Sequence, residues 1–485
     1  MYAFDKLFID GTWADPTSGK TLDVESPARE AKVGQVPIGS AADMEKAVDA
    51  ARRAMDDGPW PLMSPAERAA GIGRLCDALE KRSEAIATVV TEEVGTPISL
   101  SNMIQSGLPI MFARYYAELG RSLEIEEVRQ GPMGSSLVRR EPVGVCALVV
   151  PWNYPLYLTM SKVAPALLAG CSIVVKPSSD APLNAFLLAQ AVEEADLPPG
   201  VFNLVPTTRD VGERLVSHPS VDKVSFTGST EVGSRMMELC SKSIKRVTLE
   251  LGGKSACILL DDAPLDTAVP MAANAAFLNS GQTCVAQTRL LVPRSQRDEV
   301  VDRLCDFVST MKVGDPMDPT TAMGPLVSGR QRERVEQYIA VGQEEGAKIA
   351  TGGGRPADPG VGYYLEPTVF VDVKNSMRIA QEEIFGPVLS VIDYDTEDEA
   401  VSIANDSIFG LSGAVWSADP ARGVGVARRV RTGTFHVNGL GMDPGSPFGG
   451  FKQSGLGREL GPEGLAPYLE PKTVSLPAGY KPSGR

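Results

Sequence analysis

The sequence predicts an α/β fold built on a parallel sheet, and three observations carry that reading. Apolar bursts recur at residues 145–150, 173–175, 201–205, 224–226 and 247–251. Helix-like stretches separate them at 156–169, 182–195, 209–217 and 230–240, and this alternation marks right-handed βαβ crossovers. The chain also has 485 residues, 43% hydrophobic and 22% charged, enough for about three domains of ordinary globular composition.

The remaining elements follow in chain order. Residues 1–40 are rich in Gly, Pro and Asp with short apolar bursts, which predicts strands and turns. From 41 to 118 the chain is Ala-rich with Glu, Arg and Leu at spacings of three and four, a helical pattern. Residues 121–142 alternate in character, as in Ser136-Leu137-Val138-Arg139-Arg140, and read as a hairpin. The alternation described above fills 143–255. A second α/β stretch runs from 256 to about 435, with helices at 264–278 and 329–345 and a strand at 289–292. Gly and Pro crowd 433–467, and a late strand falls at 473–476.

Composition excludes several functions. The net charge of −14 disfavours nucleic acid, which requires clustered Lys and Arg. The only short basic run of note, Arg428, Arg429 and Arg431, reads as a solvated helix end. No signal peptide or membrane segment is visible; the longest apolar stretch, 143–152, is broken by Gly144 and closed by Pro151. Seven Cys without metal-ligand spacing predict free thiols in a reducing compartment, hence a cytoplasmic protein. With only His218 and His436, most zinc sites and His-based triads are removed.

Two runs carry most of the chemistry. Leu249-Glu250-Leu251-Gly252-Gly253-Lys254-Ser255 wedges a carboxylate between apolar residues, and desolvation there raises a carboxyl pKa toward the range of a useful base. Gly281-Gln282-Thr283-Cys284 offers a thiol on a polar turn, whereas the other six Cys sit in apolar or helical contexts. Together they suggest covalent catalysis on a carbonyl carbon. Dinucleotide binding lacks its usual GxGxxG, and Thr248 stands where a P-loop requires Gly. Phe226-Thr227-Gly228-Ser229-Thr230 is either a pyrophosphate-binding helix start or an ordinary N-cap. Lys176 is either a ribose ligand at a strand's carboxyl end or a snorkelling surface lysine. Asn153, between Trp152 and Tyr154 in a run closed by prolines, is either an oxyanion donor or a turn residue.

Read together with Glu382-Glu383-Ile384-Phe385-Gly386-Pro387-Val388 and 447–455, and in this order, these runs resemble the aldehyde dehydrogenase superfamily over essentially the whole chain. The resemblance implies two Rossmann-type α/β domains plus a small β oligomerisation hairpin. The cofactor-binding domain would comprise 1–120 and 143–252, and the catalytic domain 253–453. Residues 121–142 and 454–485 would supply the hairpin and C-terminal strand of a homodimer or homotetramer. By the same carry-over Cys284 is the nucleophile, Asn153 and the Cys284 N–H hold the oxyanion, and Glu250 activates water. Lys162 supports the Glu250 region, and Glu459 lies near the water path. Lys176, Ser229, Glu383 and Phe385 meet the cofactor, with Pro151, Trp152, Ser179, Asp180, Gly228, Val232 and Leu251 completing its site.

Ser179 stands where many NAD-using relatives carry Glu, and leaves room for a 2′-phosphate. Asp180 repels one. The expected cofactor is NAD, with NADP left open. Positions matching the family's substrate tunnel are Tyr154, Tyr157, Leu158, Ser161, Leu278, Met442 and Phe448. None is Lys or Arg, so the expected substrate is an uncharged aliphatic or aromatic aldehyde. The alternatives are a semialdehyde dehydrogenase and a cofactor-independent Cys hydrolase with His436 as base.

Overall fold

The computed structural model describes residues 1–477; the last part of the C-terminal segment expected to join subunits, 478–485, lies outside them. An eight-stranded sheet runs in the order Gly455–Leu456, Arg246–Glu250, Lys223–Thr227, Val145–Val149, Ser172–Lys176, Phe202–Leu204, Leu7–Ile9, Thr12–Ala14. Its five central strands are parallel, with Val149 opposite Lys176 and Thr227 opposite Glu250. These strands read as nearly unbroken apolar runs because helices cover both faces. The chain first moves outward from Val145–Val149 through Ser172–Lys176 to Phe202–Leu204. It then returns to the other flank at Lys223–Thr227, which creates a topological switch point beside Val149. Ligands of open α/β sheets bind in the crevice at such a point, outside the strands' carboxyl ends.

Both edges of this sheet are closed by antiparallel strands from distant parts of the chain. One is the N-terminal hairpin Leu7–Ile9 and Thr12–Ala14. The other is Gly455–Leu456, which pairs Leu456 with Leu249 and Gly455 with Glu250. The segment starting at 454 therefore contributes first to the sheet that carries Glu250. Only Leu469–Ser475 joins the hairpin, antiparallel to Gly134–Pro142, with Glu126–Gly131 as the third strand.

The second sheet has seven strands, ordered Lys348–Thr351, Thr368–Val371, Val388–Tyr394, Arg289–Pro293, Ala256–Leu259, Gly413–Trp416, His436–Val437. Its neighbours are parallel except at the Lys348–Thr351 edge. The helical region after residue 40 forms Ala41–Asp56, Pro65–Glu80, Ser83–Val94 and Leu108–Ser122. A seven-residue π-helical stretch, Ser101–Gly107, leads into the last of these. No described helix is long and apolar enough to cross a membrane.

Candidate active site

Cys284 follows a turn with an unusual backbone. Asn279, Ser280 and Gly281 have φ of 52°, 58° and 72°, three consecutive left-handed residues of which only one is glycine. Left-handed non-glycine residues cost about 1–3 kcal/mol each, so neighbouring groups must hold the turn. Asn279 accepts from Thr96 Oγ1 at 2.8 Å, and Ser280 Oγ donates to the Gly324 carbonyl at 2.8 Å. Gln282 Oε1 accepts from the Val327 N–H at 2.9 Å. Gly281 is required for a second reason: a Cβ there would collide with the Gly386 carbonyl. Gly253 is equally constrained, because a Cβ would strike the Cys284 carbonyl oxygen. The two sequence runs that promised chemistry are thus packed backbone to backbone.

Asn153 sits just beyond the central strand, 3% exposed. Its Nδ2 donates to the Gln282 carbonyl at 2.9 Å, which ties the amide to the turn before Cys284 and leaves its second N–H uncommitted. Glu250 ends the strand Arg246–Glu250 and is 2% exposed. Neither carboxylate oxygen has a hydrogen-bond partner among the described residues. Gly449 makes room for it, since a Cβ there would lie 2.6 Å from Oε1. Burial, followed by repulsion from Glu459, raises its carboxyl well above the ordinary range. Burial also pushes the Cys284 thiol up to about 12, with Glu383 and Glu250 adding to the effect.

Beneath Glu250 lies a fully bonded group. Lys162, on the helix Pro155–Ala169, donates to Glu459 Oε1 and to Thr227 Oγ1, both at 2.6 Å. Ser161 donates to Glu459 Oε2 at 2.7 Å. Ser161, one of the positions matching the substrate tunnel, is bonded into this ion-pair group.

Cys284 divides two different environments. On one side, Tyr154, Tyr157, Leu158 and Phe448 form an apolar cluster with Phe112, Leu411 and Leu460, and Cys284, Val285, Ile104 and Leu108 pack against it. Tyr154 Oη lies 2.8 Å from Thr283 Oγ1, next to the thiol. Leu278 lies outside that cluster, and its carbonyl accepts from Thr283. Met442 stands at the surface, 37% exposed, with its sulfur against the Tyr157 hydroxyl.

On the other side a cavity of about 890 Å3 opens at the switch point. Its walls include Pro151, Trp152, Gly228, Ser229, Leu251, Glu383 and Phe385, all expected cofactor residues, and Cys284 itself. Trp152 and Phe385 meet edge to face at 5.4 Å. Ser229 caps the helix Thr230–Ser241 by accepting from the Val232 N–H at 3.3 Å. Glu383 Oε1 accepts from the Gly253 N–H at 2.8 Å, and burial raises its carboxyl to about 7. Lys176, Ser179, Asp180 and Val232 are not among the lining residues. Lys176 is the last residue of its strand, with its pKa lowered by burial, and Asp180 lies 4.0 Å from Arg330.

Sequence reasoning missed Gln105 and Asn279, the bond of Thr227 to Lys162, and the apolar wall supplied by 104–112. It also missed Gln331 and Arg334, whose helix Gly329–Glu344 lines the cavity and donates to the carbonyls of Phe385 and Glu383. A run of turn-forming residues ahead of Cys284 was the available signal for Asn279. His436 lies in an edge strand of the second sheet and does not line the cavity. Among the described residues no cluster could hold a metal ion.

A half-buried thiol thus lies between an apolar cluster and a crevice at a nucleotide-type switch point, the layout of a nucleotide-dependent α/β enzyme. The chain belongs to the aldehyde dehydrogenase family, whose sequence profile matches residues 13–474. It is 47% identical over 471 residues to geranial dehydrogenase of Castellaniella defragrans, covering 97% of this chain and 98% of that one. Its structure matches the Mycobacterium tuberculosis aldehyde dehydrogenase complexed with NAD+ at a TM-score of 0.98, with 47% identity and 99% of each chain covered. It also matches a Cys-to-Ala mutant of aldehyde dehydrogenase C from Pseudomonas syringae, complexed with NAD+ and octanal. There the TM-score is 0.95, with 44% identity and 99% and 98% coverage.

Proposed function

We propose that this aldehyde dehydrogenase uses NAD to oxidise an uncharged aliphatic or aromatic aldehyde to its carboxylic acid at Cys284. The observation that carries the reading is the position of that thiol, with an apolar cluster on one side and the switch-point cavity on the other. The residues present fit the cofactor. The cavity starts at a helix N-terminus capped by Ser229, which suits a pyrophosphate. It also includes Glu383, a half-buried acceptor for ribose hydroxyls, and Gly252 keeps that space open because a Cβ would crowd Glu383 Oε2. Trp152, Ser229, Glu383 and Phe385 would hold NAD, with Lys176 at the adenosine end.

The chain's own groups then have the following roles. Cys284 Sγ bonds to the aldehyde carbon as its proton passes to solvent water and the C=O π pair moves onto oxygen, which gives a thiohemiacetal oxyanion. The free Asn153 N–H and the Cys284 main-chain N–H stabilise that oxyanion; one such donor is worth about 2.7–4 kcal/mol in a transition state. NAD held there would supply the hydride acceptor needed to take the thiohemiacetal to a thioester. Glu250 takes a proton from water, the hydroxide oxygen bonds to the thioester carbon, and the C–S bond breaks to release the acid. Lys162 and Glu459 stay ion-paired below and set the local field on Glu250.

None of the tunnel-matching positions Tyr154, Tyr157, Leu158, Ser161, Leu278, Met442 and Phe448 is a Lys or Arg that would anchor the carboxylate of an acidic semialdehyde. Geranial and octanal, named for two of the similar proteins, are uncharged in the same way. A Cys hydrolase lacks its base, because His436 is outside the site. The three-stranded sheet of Glu126–Gly131, Gly134–Pro142 and Leu469–Ser475 would join subunits into a homodimer or homotetramer, measurable by light scattering. Free thiols at every Cys suit the cytoplasm. The decisive assay is NADH and NADPH formation across a panel of medium-chain, aromatic and acidic aldehydes. NAD with an apolar aldehyde should give the highest kcat/KM, and Cys284→Ala should abolish turnover. A preference for succinic semialdehyde, or for NADP, would overturn the corresponding part.

A further inference from the structure

The π-helical stretch Ser101–Gly107 places a fully buried polar side chain, Gln105, against the main chain of Asn153. Gln105 Nε2 donates to the Asn153 carbonyl at 2.9 Å. Asn279 Nδ2, from the left-handed turn before Cys284, donates to the same carbonyl at 3.1 Å. Two side-chain amides from segments far apart in sequence therefore converge on one peptide oxygen. That peptide carries the side chain whose Nδ2 is bonded to Gln282, two residues before the thiol. The chain of bonds continues outward: Thr96 donates to Asn279 Oδ1 at 2.8 Å, and Thr91 donates to Ser101 Oγ at 2.8 Å where the π-helical stretch begins.

We propose that Gln105 is a positioning residue for the reaction: its bond to the Asn153 carbonyl holds the Asn153 amide in the orientation that stabilises the oxyanion on Cys284. Packing alone does not account for this residue. Its Oε1 is buried with no hydrogen-bond partner, an unfavourable arrangement that an apolar side chain of the same length would avoid. The residue retains one orphaned acceptor and, in exchange, restrains the Asn153 peptide. A π-helical insertion is a known way to project a side chain that a regular helix would leave elsewhere, and such insertions concentrate at functional sites. Asn153 and Cys284 are borne by different sheets, so the donor and the nucleophile have no common strand to keep them aligned. The Asn153 side chain is tied to the Gln282 carbonyl, and Gln105 and Asn279 hold its main chain from a third segment and from the turn before Cys284.

The proposal rests on the reading of Asn153 as oxyanion donor, and a double-mutant cycle separates the two. Gln105→Met preserves length and volume while deleting the donor. It should lower kcat about tenfold or more, leave the KM for NAD within about twofold, and leave the unfolding midpoint unchanged or raised. Asn153→Ala alone should lower kcat further, and adding Gln105→Met to it should cost nothing more, because the amide to be aligned is gone. Gln105→Leu serves in the same cycle if the Met variant does not accumulate as folded protein. If Gln105→Met keeps wild-type kcat while Asn153→Ala loses it, the positioning role fails and the oxyanion reading stands. Equal losses from Gln105→Met in the wild-type and Asn153→Ala backgrounds would also overturn the role. Wild-type turnover by Asn153→Ala would overturn both.

Discussion

The wall that carries Glu250 and the floor beneath it are equally buried, yet they are built on opposite principles. In the wall, both oxygens of Glu250 are unpartnered and Gly449 leaves space around them. In the floor, Lys162 is 0% and Glu459 3% exposed, and Lys162, Glu459, Ser161 and Thr227 bond to one another. An unpartnered carboxyl with a raised pKa is able to take a proton and give it up again. A carboxylate held by a lysine and a hydroxyl has its oxygens committed to those partners. The contrast separates the group suited to work in the reaction from the group that sets its surroundings.

Removing the wall's carboxylate gives the largest expected effect on the reaction. Glu250→Gln should slow turnover by a hundredfold or more and leave an acyl-enzyme detectable by mass spectrometry of the intact protein. Its stability should hold or rise, because no ion pair is lost. The floor should behave in the reverse sense. Lys162→Met strands Glu459 as a buried charge, and chemical denaturation should show a loss of about 3–5 kcal/mol. If the two variants destabilise the protein equally, the distinction between wall and floor is wrong.

A pH series sharpens the comparison. Because the Glu250 carboxyl is raised in the folded protein, it is protonated at pH values where an unfolded chain has already ionised. The native state therefore binds the extra proton, and stability falls as pH rises above the ordinary carboxyl range. Deacylation should move oppositely, rising with pH as the active carboxylate form accumulates. Glu250→Gln should flatten both trends. The smallest effect belongs to the far end of the cavity, where Ser229→Ala removes a helix cap. There we expect a loss of about 1 kcal/mol with a raised KM for NAD, and thermal unfolding beside cofactor titration measures both.

The parallel strands and their helices were readable because each repeats a local pattern: an apolar burst of the right length, then an Ala-rich helix. The helix at 156–169 and the strand at 224–226 match Pro155–Ala169 and Lys223–Thr227 closely. Strands recruited from elsewhere were not readable. Gly455–Leu456 is too short to announce itself, and only its pairing with Leu249 and Glu250 makes it a strand. The chemistry-bearing runs were visible as residue types, yet their convergence was not. Nothing near Gln105 signals a partner at Asn153, because the bond joins a side chain to a main-chain carbonyl. Ser161 shows the converse, since its position suggested a tunnel residue and its bond partner, Glu459, lies almost at the other end of the chain.

The two-residue strand beside Glu250 also bears on how the molecule is made. It is made far later in the chain than its antiparallel partner Arg246–Glu250, so the edge that positions Glu250 stays open until that later segment is available. Domains usually fold as the chain emerges, N-terminal parts first, and the sheet's five parallel strands are all complete long before this last one arrives. A ribosome-bound or C-terminally truncated chain would thus have a largely assembled cofactor crevice and a nucleophile turn without a properly seated base. Acquisition of full turnover should be among the last events of folding, later than the recovery of cofactor binding.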